Sequence, residues 1–263
     1  MINNFLKDGF IIEKFLENKD VKEFENTFIK LCKIQLKKLN LKTKTNKIQD
    51  IAILLNKKNP RALDEACFMV RNSSIGHKLA SNKKLLEISG RLLKNKNSPP
   101  IISGPSFFIN FPKNTQRKYT WHSEQIWYPK RRNFINIWCT IFEDRIDKNS
   151  IAIKVGSHKK DWMYFSEYQG YNNKLHDASY VQYEIPSNHL KGYKTVIPKV
   201  KKNEGIFFHG KIVHRSLDFK KKKVLFAIAF RVYDYQNDLT LSANWADVPY
   251  NRKSFSVPNI NVD

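Results

Sequence analysis

Long apolar segments, paired cysteines and acidic residues are all scarce in this sequence, and each shortage excludes a class of protein. The longest uninterrupted apolar run is the seven residues 224–230, whereas a membrane-spanning helix needs about 20. Residues 1–10 hold no apolar core of the length that a signal peptide needs, so we expect a cytoplasmic protein. The three cysteines (Cys32, Cys67 and Cys139) form no CxxC pair, which argues against a disulfide framework and a structural zinc site.

The shortage of acidic residues leaves the chain strongly basic. There are 47 Lys and Arg residues against 24 Asp and Glu residues, a formal net charge of +23. Such a charge can indicate a nucleic-acid partner, because binding phosphates needs Lys and Arg. However, the lysines are scattered along the chain, apart from residues 220–223, and no zinc-finger, basic-zipper or RNA-recognition motif occurs. Charge alone informs about solubility and steering, so we expect a small-molecule partner rather than nucleic acid.

The length of 263 residues allows one sizeable core and is short for two full domains. Apolar residues recur every three to four positions in the first third, which predicts helices over 21–39, 49–55, 61–75 and 83–93. Asp20 could cap the first of these helices, and Pro60 suits the first turn of the third. We therefore expect residues 1–100 to be a mostly helical support within a single domain, 1–263.

From residue 101 onward the sequence pattern changes to short runs of β-branched and aromatic residues, which are separated by Gly, Pro, Asn and Asp. The clearest runs are 106–111, 134–142, 150–155, 205–208 and 224–232, which predict an antiparallel β core over 101–263. Residues 159–202 form an irregular insertion with weak strand signals at 180–183 and 195–197, and insertions of this kind are usually functional. The predicted fold class is mainly β with N-terminal helices (α+β).

Two of the seven histidines stand in settings that suggest a metal site. His122 and Glu124 are two residues apart, so on a strand both side chains would point to one face and could reach one ion. His214 follows the strand-like run 205–213. Two imidazoles and one carboxylate form the facial triad of non-haem Fe(II) oxygenases, which leaves positions open for a co-substrate and O2. The His-x-Glu pair alone could equally be an ordinary contact between the two side chains.

The sequence around these residues resembles that of the phytanoyl-CoA dioxygenase family of Fe(II)/2-oxoglutarate oxygenases. The family has a Trp-containing strand, an acidic turn that ends in Asn-Gly, another strand and then Pro-Gly-Ser-His. Ser150 stands here in place of the usual Gly, and Val155 in place of the usual Pro. The matching segments come in the family's order along nearly the whole chain: Asp8-Gly9-Phe10-Ile11-Ile12, Trp121-His122-Ser123-Glu124, Trp138, Asn149, Gly156-Ser157-His158, Phe208-His209-Gly210 and His214-Arg215-Ser216.

The resemblance implies a double-stranded β-helix (a jelly-roll, cupin-like core) and the cofactors Fe(II), 2-oxoglutarate and O2. It implies His122, Glu124 and His214 as metal ligands, although the common family motif has Asp where Glu124 stands. A carboxylate at this position argues against a halogenase, whose site must be emptied for halide. His209 is a competing third ligand, but on a straight strand it would face away from His214 because the two are five residues apart.

The match weakens at the anchor for 2-oxoglutarate. The family holds the far carboxylate with an Arg about ten residues after the last His, where the ungapped position in this chain is Leu225. Period-two counting puts Lys223 and Arg231 on the same strand face as Leu225, so either could serve as the anchor. Ser216 matches a family serine near the co-substrate. Trp138 could wall the site or merely pack in the core.

Two functions follow as expectations. The first is an Fe(II)- and 2-oxoglutarate-dependent dioxygenase that hydroxylates a C–H bond of a small molecule, which the positive charge would suit if the molecule is anionic. The second, motivated by Leu225, is a β-helix protein that has lost 2-oxoglutarate binding and acts as a binding module or uses another electron source. Aromatic candidates for the mouth of the site are Tyr119, Trp127, Tyr128 and 162–165.

Overall fold

A computed structural model describes the protein over residues 1–94, 101–111, 119–126, 133–142, 151–162, 166–168, 182–217 and 224–234. Helices form most of the first of these ranges. Their apolar side chains recur on one face, and that face is buried. The helices are α1 (Ile2–Asp8), α2 (Asn18–Lys38), α3 (Ile48–Lys58), α4 (Pro60–Arg71), α5 (Ser74–Ala80) and α6 (Lys83–Leu92).

Three of the four predicted helices are confirmed with small shifts at their ends, but the single helix predicted over 61–75 ends at Arg71, and a second helix begins at Ser74. That segment divides into α4 and α5 because two polar side chains compete for backbone groups. The Asn72 amide donates to Phe68 O at 2.8 Å. The Ser73 hydroxyl donates to Val70 O at 2.6 Å and accepts from Gly76 N–H at 3.3 Å, which begins α5.

The sequence suggested that Asp20 caps a helix, but this prediction is wrong. The N-terminal cap of α2 is Glu17, and Asp20 lies within the first turn of the helix. Its buried carboxylate pairs with Lys78 Nζ at 2.9 Å. Asp20 therefore ties α2 to α5, and its position in the first turn also suits the helix dipole. Pro60 does occupy the first turn of α4.

The first strand, β1 (Phe10–Lys14), was not predicted, because Phe10 also fits the helical spacing of its neighbours. Gly9 ends α1 with φ of 86°, a left-handed conformation that glycine adopts at little cost. A Cβ at this position would overlap the ring of His158. The chain then turns directly into β1, which pairs with a strand almost 200 residues later, from Phe10↔Phe208 to Lys14↔Glu204.

In the part of the chain that the structure describes, nine further strands build the β core, and all their pairings are antiparallel. The strands are β2 (Ile101–Asn110), β3 (Phe134–Thr140), β4 (Ile151–Lys154), β5 (Ser166–Tyr168), β6 (Gln182–Glu184), β7 (Thr195–Val196), β8 (Glu204–His209), β9 (His214–Ser216) and β10 (Leu225–Tyr233). Each predicted strand has a counterpart among them. One sheet has the order β1-β8-β3-β10-β2, a second β7-β4-β9, and a third joins β5 to β6.

Two apolar clusters show how the layers pack. The larger cluster joins the helices to the outer face of the five-stranded sheet, with Phe24 and Phe28 of α2 against Phe107 and Phe226. The smaller cluster fills the space between the two larger sheets and contains side chains from β4 and from β8. Two antiparallel sheets face to face, with helices against one of them, make a double-stranded β-helix and confirm the predicted fold class.

The two faces of strand β10 lie in different environments, one against the helices and the other between the two larger sheets. Phe226, Ile228 and Phe230 point to the helices and belong to the larger cluster. Because side chains alternate along a strand, Leu225, Ala227, Ala229 and Arg231 point to the interior between the sheets. The two alanines leave room on this inner face, and Arg231 is its cationic member. Among the described residues, no helix is long and apolar enough to span a membrane.

Candidate metal centre

His122 and His214 lie directly opposite each other on neighbouring segments of the smaller sheet. The N–H of His122 donates to His214 O at 3.0 Å, and the N–H of His214 donates to His122 O at 2.9 Å. This isolated antiparallel bridge extends the sheet beyond β9. Directly opposed residues project their side chains to the same face, so the two ring centroids are only 4.2 Å apart. The bridge thus brings both imidazoles together at one point between the sheets.

Backbone carbonyls fix the tautomer of both rings. His122 Nδ1 lies 2.7 Å from Thr120 O, and His214 Nδ1 lies 3.1 Å from Ile212 O. A carbonyl oxygen only accepts, so each Nδ1 must carry the proton and donate it. The lone pair is then on Nε2 of both rings. Hydrogen bonds of this kind orient metal-binding histidines in proteins, and here the same pattern repeats two residues before each histidine.

Glu124 reaches the histidines from a short 3-10 turn, Glu124–Ile126, rather than from a strand. Its neighbours hold the turn in place. Ser123 Oγ and Gln125 N–H both donate to Gly210 O, at 3.3 Å and 3.2 Å. The buried Gln125 amide also donates to Asp161 at 2.9 Å. A rigid turn therefore directs the Glu124 carboxylate inward, where only 5% of the residue is exposed.

His122, Glu124 and His214 each offer a ligand atom, and these atoms all lie within 4.8 Å of one another. Burial, followed by the neighbouring His214, lowers the pKa of His122 to about 3. Burial likewise lowers the pKa of His214. Both rings are therefore neutral at pH 7, and the 3.9 Å contact between His214 Nε2 and Glu124 Oε1 is not an ion pair. Two neutral imidazoles beside a carboxylate fit a divalent metal such as Fe(II).

Arg231 keeps the Glu124 carboxylate ionised. Burial acts to raise the pKa of this carboxyl, but Arg231, with smaller contributions from the two histidines, offsets it and holds the pKa below its usual range. The guanidinium donates to Glu124 Oε2 through Nε at 2.9 Å and Nη2 at 2.7 Å. A buried carboxylate without such a partner would be strongly disfavoured. Arg231 was predicted as an anchor for the co-substrate, and its ion pair with Glu124 was not predicted.

The other predicted site residues lie around the cluster or outside the described residues. Ser216 is on β9, two residues after His214, and its hydroxyl accepts from Tyr119 N–H at 3.3 Å. Trp138 is on β3, opposite Ala229, and packs against the cluster between the sheets. Leu225 is buried. Lys223, Trp127, Tyr128 and 163–165 lie outside the described residues.

Three polar side chains near the cluster were missed from the sequence. The hydroxyls of Thr120 and Thr140 and the amide oxygen of Asn136 are buried, and none of them has a hydrogen-bond partner among the described residues. Thr120 is two residues before His122, and Asn136 and Thr140 are opposite Arg231 and Ala227 on β3. Buried polar atoms are rarely left unpaired, so these three suit a polar ligand between the sheets. Only their position two or four residues from a predicted site residue could have indicated them.

His209 and His158 form a separate pair beside helix α1. Their rings are 5.5 Å apart, and both lie within 6.5 Å of the Phe5 ring. His209 Nδ1 accepts from Lys211 N–H at 3.1 Å, and His158 Nε2 lies 3.2 Å from Leu6 O. His209 therefore faces away from His214, as strand geometry predicted, and His158 holds α1 against the β core.

Ser157, of the Gly156-Ser157-His158 motif, positions the strand that carries His214. Its fully buried hydroxyl donates to Lys154 O at 2.8 Å and accepts from Val213 N–H at 2.8 Å. Trp162, which is buried rather than at the mouth of the site, donates from its indole to Ser157 O at 2.9 Å. The motif thus fixes the residue immediately before His214.

We expect Ser157→Ala to destabilise the protein by about 1–3 kcal/mol, because Val213 N–H would be left buried without an acceptor. Chemical denaturation measures this loss, and metal titration should show weaker binding because β9 shifts. Ser81→Ala is the matched control, since the exposed Ser81 hydroxyl donates to the carbonyls of His77 and Lys78 at the end of α5 and, within the described ranges, accepts from no buried N–H. Equal losses in the two variants would contradict the assigned role.

Acid should destabilise the metal-free protein well above the pH at which carboxylates titrate. Burial lowers the pKa of His209, like that of His122, to about 3, whereas histidine in the unfolded chain titrates near 6.5. Below pH 6.5 these histidines bind protons in the unfolded chain but stay neutral in the folded chain. Each such histidine then lowers the free energy of unfolding by up to about 1.4 kcal/mol per pH unit. Denaturation with chelator at pH 7, 6 and 5 measures this slope, which should be shallower in His209→Gln.

Comparison with known proteins finds similarity in fold only. No protein-family model and no curated protein sequence matches the chain. The apo non-haem monooxygenase ThoJ is 13% identical, with a TM-score of 0.58 over 88% of this chain and 76% of its own. EctD from S. alaskensis, solved with 2-oxoglutarate and 5-hydroxyectoine, is 14% identical, with a TM-score of 0.57 over 90% and 76%.

A third structure widens the range of reactions among these neighbours. The epimerase SnoN, solved with Fe3+, α-ketoglutarate and nogalamycin RO, is 11% identical, with a TM-score of 0.56 over 89% of this chain and 82% of its own. All three similarities extend over most of both chains, so they concern the whole fold rather than one motif. The chain therefore has the double-stranded β-helix fold of these enzymes.

Proposed function

We propose that this chain is a non-haem Fe(II)- and 2-oxoglutarate-dependent dioxygenase related to the phytanoyl-CoA dioxygenase family. The observation that carries the proposal is the buried cluster of His122, Glu124 and His214, whose ligand atoms lie within 4.8 Å of one another. Two nitrogens and one oxygen on one side of a metal leave its other positions open, as non-haem Fe(II) oxygenases require. The fold supports the proposal, since SnoN was solved with Fe3+ and α-ketoglutarate and EctD with 2-oxoglutarate.

Bound Fe(II) would supply the oxidative chemistry, in which 2-oxoglutarate, O2 and a substrate C–H become succinate, CO2 and C–OH. The chain's own residues bind and orient the reactants. His122 and His214 present Nε2, and Glu124 presents a carboxylate oxygen. Apolar side chains lie beside the cluster, because Ile153 of β4 is opposite His214 and the Phe208 ring of β8 is 4.7 Å from that of His214. They exclude water, so that a reactive oxidant meets the substrate rather than solvent.

The polar groups between the sheets suit a short dicarboxylate. Ser216 and Thr120 face the interior from the smaller sheet, and Thr140 faces it from β3, opposite Ala227. We propose that these hydroxyls, with Trp138 as a wall, receive the co-substrate beside the metal. Because Arg231 is engaged by Glu124, Lys223 is the preferred cation for the far carboxylate. We further propose a small-molecule substrate in the cytoplasm, which the net positive charge would attract if the substrate is anionic.

Succinate release tests the proposed function without knowledge of the substrate. The purified protein is incubated with Fe(II), 2-oxoglutarate and air, and succinate is quantified against an anaerobic sample and against Glu124→Ala. We expect oxygen-dependent succinate from the wild-type protein only. Succinate reports 2-oxoglutarate consumption whether the substrate is hydroxylated or, as in SnoN, epimerised. Equal succinate from both proteins would contradict the proposal.

A second candidate is a β-helix protein that has lost 2-oxoglutarate binding. It is favoured by two observations at the expected anchor, namely the apolar Leu225 and the engagement of Arg231 with Glu124. Calorimetric titration with 2-oxoglutarate in the presence of Mn²⁺ separates the candidates. Binding that is lost in Lys223→Ala supports the dioxygenase, and a metal-loaded protein that binds no 2-oxoglutarate supports the second candidate.

A further inference from the structure

The two oxygens of the Glu124 carboxylate have different surroundings. Oε2 accepts two hydrogen bonds from Arg231, at 2.9 Å from Nε and 2.7 Å from Nη2. Oε1 faces His214 Nε2 at 3.9 Å, a separation that leaves space for an ion between the two atoms. The side chains are 17% exposed for Arg231 and 6% for Glu124, so water competes little with their contact. The carboxylate is thus held by one oxygen, and the other is directed toward the histidines.

The backbone gives Arg231 a fixed position. Strand β10 pairs with β3 on one side, with Arg231 opposite Asn136, and with β2 on the other, with Arg231 opposite Ser103. The pairing with β2 shifts register between Ala229 and Arg231, because β2 has one more residue over this stretch, from Ser103 to Ser106. A side chain held by two neighbouring strands can act as a rigid support for Glu124.

This support restricts how Glu124 can bind a metal. A carboxylate that binds through both oxygens must give the metal the lone pairs of both. Oε2 could do so only by giving up hydrogen bonds to a guanidinium, which are stronger than neutral ones. Oε1 carries no such contact with Arg231. The ion pair therefore favours coordination through one oxygen, and it preserves one more open position on the metal than two-oxygen binding would.

We propose that Arg231 is a positioning residue that holds Oε2 of Glu124, so that Glu124 gives the metal a single oxygen, Oε1. The inference rests on the metal centre of the proposed function but not on its oxidative chemistry. It also assigns Arg231 a role different from that of a co-substrate anchor. The guanidinium acts through Glu124, without touching the metal or the reacting atoms.

Titration of the metal-free protein with Co²⁺, without 2-oxoglutarate, tests this role. We expect Arg231→Gln to weaken Co²⁺ binding by about 10–100-fold, the range for partners that orient a metal ligand. The visible spectrum of bound Co²⁺ should also change, because Glu124 can then bind through both oxygens. Arg231→Lys keeps the positive charge but not the paired N–H donors of the guanidinium, so it should lose less Co²⁺ affinity than Arg231→Gln. The control Arg215→Gln makes the same charge change at an exposed side chain over the Trp121 ring and should change neither readout.

A double-mutant cycle with Glu124→Asp shows whether Arg231 acts through Glu124. Aspartate withdraws the carboxylate by about 1.5 Å, one C–C bond, which breaks the contact with Arg231. Arg231→Gln should therefore cost less than about threefold in Co²⁺ affinity in the aspartate background, against tenfold or more in the wild type. Thermal unfolding of the metal-free variants separates this coupling from a general loss of folding.

Three results would overturn the proposal. The first is an equal loss of Co²⁺ affinity from Arg231→Gln in the glutamate and aspartate backgrounds. The second is tighter Co²⁺ binding by Arg231→Gln with an unchanged spectrum. The third is unchanged Co²⁺ binding by this variant with a loss of 2-oxoglutarate binding only. The last result would make Arg231 the co-substrate anchor. Failure of the proposed function is distinguishable, because a protein that binds Co²⁺ with this coupling but releases no succinate retains the positioning role and loses the dioxygenase assignment.

Discussion

His214→Ala should weaken divalent-metal binding by more than 100-fold and abolish 2-oxoglutarate-dependent succinate release. The ring is one of three donors in the cluster, and removing it leaves one imidazole and one carboxylate. Loss of an outer partner that merely orients a ligand costs about 10–100-fold in affinity, so loss of the ligand itself should exceed that range. Calorimetric titration with Mn²⁺ measures the affinity, and the succinate assay measures turnover.

The control for this prediction is His209→Gln. His209 is half-buried and lies five residues before the buried His214, but its ring contacts Phe5 and His158 rather than the cluster. We expect metal affinity within a few-fold of the wild type in this variant. The opposite pattern, with binding lost in His209→Gln and retained in His214→Ala, would assign the third ligand to His209 and contradict the cluster.

Much of the fold could be predicted because its signals are local. The spacing of apolar residues identified α2, α3 and α6, and the short β-branched and aromatic runs identified β2, β3, β4, β8 and β10. The errors arose where a distant contact decides the local structure. Phe10 fits a helical pattern, but its segment becomes β1 because β8 offers an unpaired edge. The break between α4 and α5 depends on which backbone groups Asn72 and Ser73 capture, and spacing does not reveal this.

The candidate site divides in the same way. His122, Glu124 and His214 could be named because residue type and order carry the information. The groups that support them could not, since each acts across a long stretch of chain. Arg231 contacts Glu124, which is 107 residues away in the sequence, and Ser157 contacts Val213, which is 56 residues away. Arg231 was identified as inward-facing by counting along the strand, but counting cannot show which of two carboxylates, one internal and one from a ligand, the guanidinium meets.

Gly210→Ala should be the most damaging single-methyl change near the site. A Cβ at this position would overlap the ring of Phe134, which is completely buried and cannot swing into solvent. The backbones cannot separate easily either, because Gly210 N–H donates to Phe134 O at 2.8 Å. Overpacking of this kind costs about 3 kcal/mol at the upper end of its usual range. Chemical denaturation of the metal-free protein measures the loss.

The same substitution should weaken metal binding as well as folding. Gly210 O accepts hydrogen bonds from Ser123 Oγ and Gln125 N–H, the residues on either side of Glu124. A backbone shift that relieves the overlap with Phe134 therefore moves the carboxylate away from the two histidines. Gly104→Ala is the matched control, since a Cβ there meets no atom within 4 Å, and it should change stability by less than about 0.5 kcal/mol.

Phe134→Leu provides the decisive combination with Gly210→Ala. The smaller side chain removes ring atoms from the space that the new methyl group would occupy, so the double variant should be less destabilised than the sum of the two single variants. Metal affinity should recover in parallel, because the turn that carries Glu124 can return to its position. Additive losses in stability would mean that the methyl group acts elsewhere. Recovered stability without recovered affinity would show that Gly210 O does not position Glu124.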